Sequence, residues 1–128
     1  MSLTILNGPV IAAGESLSDG LDCSAGQIVK ITMPSDWVGD VLTFQTSSDG
    51  NGYNDVMLPS GQELVFHVVA GTGILGMAPM TGFLKFRSGT RDRPVVQPER
   101  RQFAVALAVE GAAPPTGGEL RVRLLLGG

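Results

Sequence analysis

The residues of this 128-residue chain with the clearest chemical potential lie in one short polar segment. Four oxygen-bearing side chains, Asp49, Asn51, Asn54 and Asp55, stand there between two apolar runs. Ca²⁺ takes roughly six to eight oxygen ligands, so a calcium loop is one hypothesis. The spacing lacks the ligand order and the closing Glu of an EF-hand loop. Asp-Gly and Asn-Gly instead favour a tight hairpin turn, and we expect no metal here.

Other reactive residues are single and isolated. His67 is the one histidine, and the alternation around it places it on the outward side of a strand. Cys23 is the one cysteine, so no intramolecular disulfide can form, and no neighbour in sequence would lower its pKa. The segment GTGILG, 71–76, has no lysine and indicates a turn rather than a phosphate loop. We predict no catalytic residue, no cofactor and no enzymatic activity.

Period-two hydrophobic patterns predict an all-β chain that could position these residues. In QIVKITM we expect Val29, Ile31 and Met33 to face the core, whereas FAVALAV has two apolar faces and favours a central strand. We predict one domain over residues 1–128, an antiparallel β-sandwich of jelly-roll type with roughly seven to nine strands. The patterned segments are residues 27–33, 40–46, 63–69, 83–87, 103–109 and 120–126.

The first 20 residues are predicted to form an N-terminal arm and a loop. We expect the arm's apolar residues to be buried on a neighbouring subunit, because they have little reason to stay in water. Neither a secretory signal nor an apolar stretch of about 20 residues is evident, so we expect no export by that route and no membrane partner. The apolar residues of the arm are Leu3, Ile5, Leu6, Val10 and Ile11.

Charge is distributed unevenly along the chain. Up to Leu64 eight acidic residues face Lys30 alone, whereas the rest carries eight basic and four acidic residues. This polarity fits an acidic partner or self-association of unlike ends. The basic concentration predicts docking to an acidic surface, and a solvated loop is the alternative. An acidic chain with few aromatic residues disfavours nucleic acid. The clustered arginines are Arg87, Arg91, Arg93, Arg100 and Arg101.

Two long segments carry a family resemblance. They are ITMPSDWVGDVLTFQTSSDGNGYNDV, 31–56, and LKFRSGTRDRPVVQPERRQFAVAL, 84–107. Both resemble small β-rich structural proteins encoded among the head genes of tailed bacteriophages, prophages and gene-transfer-agent-like elements. The resemblance implies a non-enzymatic virion component, a head decoration or cement protein that binds and stabilises the major capsid protein lattice. We expect a homo-oligomer, with a trimer as one candidate, made in the bacterial host cytoplasm and located on the capsid surface.

A second class of function stays open. The strand and turn around Ser47-Ser48-Asp49-Gly50 also resemble those of discoidin-like, carbohydrate-binding jelly rolls. A carbohydrate-binding or adhesion module of a phage fibre or spike would use Trp37, Tyr53 and the polar segment as its platform. A decoration protein would instead bind its partners through Leu3, Ile5, Leu6, Arg87, Arg91, Arg93, Arg100 and Arg101.

Overall fold

The computed structural model describes residues 2–75 and 82–109. Within them the chain forms nine strands and no helix, which confirms the all-β prediction. The predicted strand at 120–126 lies outside the described residues. The strands are β1 (Ser2–Ile11), β2 (Leu21–Asp22), β3 (Gly26–Thr32), β4 (Val41–Ser47), β5 (Asn54–Asp55), β6 (Phe66–His67), β7 (Gly73–Leu75), β8 (Phe83–Ser88) and β9 (Arg101–Val109).

These strands form two antiparallel sheets. Sheet A has the order β1-β9-β3-β7, and sheet B has the order β2-β8-β4-β5, with β6 paired to the start of β4. Strands that are distant in sequence therefore lie side by side: β1 and β3 flank β9, and β2 and β4 flank β8. No helix in the described residues is long and apolar enough to cross a membrane.

The inward faces of the two sheets share one hydrophobic core. Phe44 of β4 and Phe86 of β8 are fully buried, and their ring centroids lie 5.2 Å apart. Phe86 also contacts Phe103 of β9, with a centroid distance of 5.0 Å and an edge-to-face angle of 72°. Aromatic pairs of this geometry gain about 0.5–1.5 kcal/mol beyond the area that they bury. Side chains of the two sheets therefore meet directly.

Strand β9 is central, as its two apolar faces predict. Phe103, Val105 and Leu107 point inward and are at most 2% exposed. The alternating alanines point the other way, toward the outside of sheet A, since Ala104, Ala106 and Ala108 pair with outward residues of β1 and β3. The core side of β9 is thus filled by large side chains, and its outer side is kept flat.

Strand β3 departs from simple alternation. Its pairing with β9 shifts register between Ile28 and Lys30, so Val29 is the extra residue of a β-bulge. Ile28 and Ile31 are both buried, whereas Val29 is half-buried. The expectation that Val29 faces the core together with Ile31 and Met33 is therefore wrong for Val29, because the bulge turns the strand at that point.

Two further sequence expectations need correction. Residues 2–11, predicted as an arm, form strand β1, which pairs with β9 from Ser2↔Val109 to Ile11↔Arg101. Ile11 is fully buried in the chain's own core, so it is not available to a neighbouring subunit. Residues 73–75, predicted as part of a turn, form β7 against β3. In each case pairing with a distant strand decides the local structure.

Candidate functional site

Arg87, predicted to bind a partner, is an internal residue. Its side chain is 8% exposed and lies across the outer side of sheet B. Its Nε donates to Thr43 Oγ1 at 3.1 Å, its Nη1 donates to Asp55 Oδ1 at 2.8 Å, and its Nη2 donates to the Glu63 carboxylate. Thr43 is fully buried under this group. We call these four residues the Arg87 cluster; they tie strands β4, β5 and β8 to the segment before β6.

The Arg87 cluster changes the protonation behaviour of Asp55. Burial alone would raise the pKa of this carboxyl, but hydrogen bonds from Arg87 and Gln45 and the charges of Arg87 and Arg91 lower the pKa overall. The folded state thus holds the charged form more strongly than the unfolded chain does. A lowered carboxyl pKa contributes stability that is complete above the unfolded value and is lost as the pH falls through the folded value.

We therefore expect acid to unfold this protein partly through Asp55. The free energy of unfolding should be level near neutral pH and should fall below about pH 4, the usual pKa of an unfolded Asp. Urea titrations at several pH values would measure this. The variant Asp55→Asn should be less stable than the wild type at pH 6. Its free energy of unfolding should fall less steeply than that of the wild type between pH 6 and pH 3. Parallel pH profiles for the two proteins would contradict the assignment.

Arg101, also predicted to bind a partner, is 3% exposed. Its Nε donates to Gln97 Oε1 at 2.9 Å, and its Nη1 donates to Asp36 Oδ2 at 2.7 Å. Gln97 is itself fully buried and also bonds Ser88 Oγ and both backbone groups of Val38. These contacts, the Gln97 network, fasten the segment between β8 and β9 to the segment between β3 and β4. The role of Arg101 is therefore internal.

The three remaining arginines of the predicted cluster are at the surface. Arg91 is half-exposed, its Nε lies 3.6 Å from Asp55 Oδ2, and its backbone N–H donates to the Glu63 carboxylate. Arg93 and Arg100 are exposed, and neither forms a salt bridge within the described residues. Each stands next to an acidic residue in sequence, Asp92 or Glu99. The structure thus does not bring the five arginines together on one basic surface.

The apolar residues of β1 separate by strand alternation. Leu6 packs against the core. Leu3 and Ile5 point away from it and are 63% and 60% exposed. They share the outer face of sheet A with the alanines of β9 and with Leu75 of β7, which is 73% exposed. The outer face of sheet A comprises Leu3, Ile5, Asn7, Gln27, Lys30, Thr32, Gly73, Leu75, Gln102, Ala104, Ala106 and Ala108.

The polar tip, residues 48–53, is organised by its own side chains. Asp49 Oδ1 accepts hydrogen bonds from Asn51 N–H at 2.8 Å and from Gly52 N–H at 3.2 Å. Gly50 adopts φ +81°, and its N–H donates to Ser47 Oγ. The tip joins β4 to β5, which pair antiparallel, so the hairpin prediction is confirmed. Backbone N–H donors to Asp49 lower the pKa of its carboxyl.

An open cleft of about 640 Å³ lies beside the polar tip. Tyr53 forms part of its wall, and Lys85 Nζ sits 4.5 Å from the centre of the Tyr53 ring. Trp37, predicted as a second platform residue, is 6% exposed and packs edge-to-face on Phe103, so it cannot stack on a ligand. The cleft is lined by Asp19, Gly20, Asp22, Asp49, Gly50, Asn51, Tyr53, Phe83 and Lys85.

No group of three or more His, Cys, Asp or Glu residues suited to a metal is found in the described part of the chain. His67 is exposed on β6, on the strand surface as expected. Cys23 is fully buried, and burial together with the nearby charge of Asp22 raises the pKa of its thiol to about 11. The thiolate is the reactive form, so Cys23 is a poor nucleophile in the folded protein.

We accordingly expect Cys23 to be protected from alkylation. At pH 8 iodoacetamide should modify the native protein about a hundred-fold more slowly than the urea-unfolded protein, because both access and thiolate fraction are reduced. Mass spectrometry of timed samples would give the two rates. Equal rates would show that the thiol is exposed in solution.

Comparisons with protein-family models, characterised proteins and solved structures find no match to this chain. The fold and its surfaces define the class: an all-β protein of two antiparallel sheets, whose outer sheet A face exposes the large apolar residues Leu3, Ile5 and Leu75. Sequence patterns missed the Gln97 network and the Arg87 cluster. One available signal was the alternation within the patterned segments 40–46 and 83–87, which turns Thr43 and Arg87 outward and allows them to pair across neighbouring strands.

Proposed function

We propose that this chain is a non-enzymatic structural protein of a phage virion, a head decoration or cement protein. In this proposal the two sheets form a β-sandwich of jelly-roll type. The outer face of sheet A binds the major capsid protein lattice and stabilises it. The protein is made in the bacterial host cytoplasm and ends on the capsid surface.

The observation that carries the proposal is the composition of the outer face of sheet A. Three large apolar side chains, Leu3, Ile5 and Leu75, are each at least 60% exposed there. Among the outward positions that the structure describes on this face, Lys30 is the one charged residue. Exposed apolar patches mark interaction surfaces, and the centres of protein interfaces are depleted in charge.

The shape of the face supports docking against a broad surface. The outward residues Ala104, Ala106 and Ala108 give strand β9 short side chains on this face. A partner can approach this surface closely over β9, as packed sheets do at about 10 Å, whereas the neighbouring β3 carries the longer Gln27 and Lys30. The longer side chains of Leu3 and Ile5 lie on β1 at one edge of the sheet, and that of Leu75 lies on β7 at the other edge.

Charge contributes less to the proposed contact than the sequence indicates. Arg87 and Arg101 are engaged inside the protein, and Arg91 is close to Asp55. The exposed Arg93 and Arg100 remain, and exposed ion pairs contribute only about 0–1 kcal/mol each. Binding to the lattice should therefore depend weakly on salt, because apolar contacts are not screened.

Co-sedimentation with heads assembled from the capsid protein encoded beside this chain would test the proposal. The double variant Leu75→Lys with Ala108→Lys should bind at least about ten-fold more weakly, a loss of roughly 1.4 kcal/mol, since it places charge on a desolvated face. The matched control is Met57→Lys, which replaces another exposed apolar residue, 42% exposed, in the segment between β5 and β6. Equal binding by the wild type and the double variant would contradict the proposal.

A second candidate function, carbohydrate binding on a fibre or spike, is favoured by the cleft beside the polar tip. Asp22, Asp49 and Asn51 offer hydrogen-bonding groups, and Tyr53 with Phe83 offers aromatic surface. A concave site with apolar walls and a few polar groups is the usual form of a small-ligand site. Calorimetry with a panel of bacterial-surface glycans separates the two functions. Glycan binding that is lost in Tyr53→Ala, with no binding to heads, would favour the second.

A further inference from the structure

The first half of β1 presents an open sheet edge. One side of this strand pairs with β9. Along residues 2–7 the other side meets no strand among the described residues. Beyond the register shift that follows Asn7, the same side is closed, because Val10 N–H donates to Asp19 Oδ1 at 2.9 Å and Val10 O accepts from Asp19 N–H at 3.0 Å. The open edge therefore has a defined length and a defined end.

This edge lacks the features with which proteins block strand addition. Edges are usually protected by shortness, by charged residues, or by proline. The other edge strands in the described residues are short: β7 has three residues, and β2 and β5 have two each. By contrast β1 has ten residues, and its segment SLTILN, 2–7, contains neither a charge nor a proline.

In the first part of this segment, residues 2–5, both faces of the strand are also poorly covered by the rest of the chain. Residues 2–5 are all exposed, although two of them are the large apolar Leu3 and Ile5. A strand with one paired edge and two exposed faces gains little from burial within its own subunit. A strand added at this edge would pair the open backbone groups and cover part of Leu3 and Ile5.

We infer that the added strand is β1 of a second copy of this chain, paired antiparallel about a two-fold axis. Because residues 2–7 are uncharged, self-pairing brings no like charges together in any register. A register with Thr4 opposite Thr4 of the partner subunit places Leu3 opposite the partner's Ile5, and the same pair forms again across the axis. Alternation keeps all four of these side chains on the outer face.

The resulting dimer has a continuous eight-stranded sheet, from two copies of the four-stranded sheet A. The contact stops at two copies, because each copy uses its one long open edge among the described strands and offers no second such edge to a third copy. The inference deepens the proposed function and rests on it for the biological role of the dimer. Two copies side by side would present two outer faces of sheet A to the lattice, so the dimer would bind the lattice with greater avidity than one copy.

Light scattering and sedimentation of the full chain test the dimer directly. The wild type should show twice the 13.3 kDa mass of one chain at micromolar concentration. The variant Leu3→Lys with Ile5→Lys should weaken self-association at least ten-fold while its circular dichroism spectrum stays unchanged. The matched control Leu75→Lys, on the same face but at the opposite edge, should dimerise like the wild type. Equal weakening by Leu75→Lys would overturn the strand-pairing geometry.

A cross-link identifies the occupant of the edge. Cys23 is buried, so Thr4→Cys introduces one accessible thiol into the described part of the chain. Mild oxidation should then yield a covalent dimer, which the wild type does not form. The double variant Thr4→Cys with Val122→Cys tests the alternative occupant. A disulfide within one chain, without a covalent dimer, would assign the edge to the chain's own C-terminal segment and overturn the inference.

The two proposals fail in different ways. A wild type that stays monomeric to about 100 µM overturns the dimer, and it leaves the proposed function standing if the monomer binds heads. A stable β1-paired dimer that does not bind heads overturns the proposed function and leaves the dimer standing.

Discussion

Replacing Arg87 by methionine is expected to lower the free energy of unfolding by about 3 kcal/mol, the lower end of the loss seen when one partner of a buried ion pair is removed. Methionine has a similar length, so the loss would come from Asp55 and Glu63. Their carboxylates, with side chains 23% and 10% exposed, would lose the guanidinium that pairs with them. Thr43, fully buried, would also lose its bond to Nε.

Thermal and urea unfolding of three variants would measure this effect. Arg87→Met should melt about 10 °C below the wild type. The matched control Arg93→Met, at an exposed arginine outside the cluster, should change the melting temperature by little. Adding Asp55→Asn and Glu63→Gln to Arg87→Met should recover part of the loss, because the unpaired charges are then removed. A loss below about 1 kcal/mol for Arg87→Met would mean that the cluster is well hydrated.

Gln97→Leu is the second change with a large expected effect. The substitution keeps the volume but removes the partners of Val38 N–H, Ser88 Oγ and Arg101 Nε. A buried polar group left without its partner costs about 1–3 kcal/mol, so the total loss should reach about 3 kcal/mol. The segment between β8 and β9 would also lose its attachment to the segment before β4.

Hydrogen exchange and thermal unfolding together would test the Gln97 prediction. Gln97→Leu should lower the melting temperature by about 10 °C and should increase exchange in residues 89–100 beyond the rest of the chain. Gln102→Leu is the matched control, since the same substitution is made at an exposed position of β9. Equal effects at the two positions would contradict a specific role for the Gln97 network.

Both predictions concern residues that the sequence places in a basic, partner-binding region. Charged residues close together in sequence usually share a solvated surface, which is why the arginines appear to form one patch. In the structure Asp55 and Glu63, from the acidic half of the chain, neutralise Arg87 from within. Acidic residues of the first half of the chain thus pair with Arg87 and Arg101 of the second half within one copy.

Local patterns predicted well wherever a strand obeys simple alternation. The patterned segments 40–46, 83–87 and 103–109 correspond to β4, β8 and β9, and Phe44, Phe86 and Phe103 in them are buried in the core. The pattern of β9 predicted its central position, and the structure places its large residues on the core side and its alanines on the outer face of sheet A. The Asp49 turn was predictable too, since an Asx side chain bonds backbone that is two or three residues away.

Long-range pairing was not available from local patterns. The bulge at Val29 depends on the register between β3 and β9. The bond from Arg87 to Asp55 joins residues 32 apart in sequence, and that from Gln97 to Val38 joins residues 59 apart. The N-terminal segment looked like an arm because nothing in its own sequence specifies β9 as its partner. Its exposed Leu3 and Ile5 are nevertheless among the residues predicted to bind a partner.

In the proposed function the outer face of sheet A, rather than the arginines or the cleft, binds the capsid lattice. A cryo-electron microscopy map of heads incubated with the purified protein tests this most directly. We expect density for this chain on the lattice, with Leu75 and Ile5 turned toward the capsid protein and the cleft around Tyr53 toward solvent. Undecorated heads, or decoration that leaves the outer face of sheet A in solvent, would contradict it.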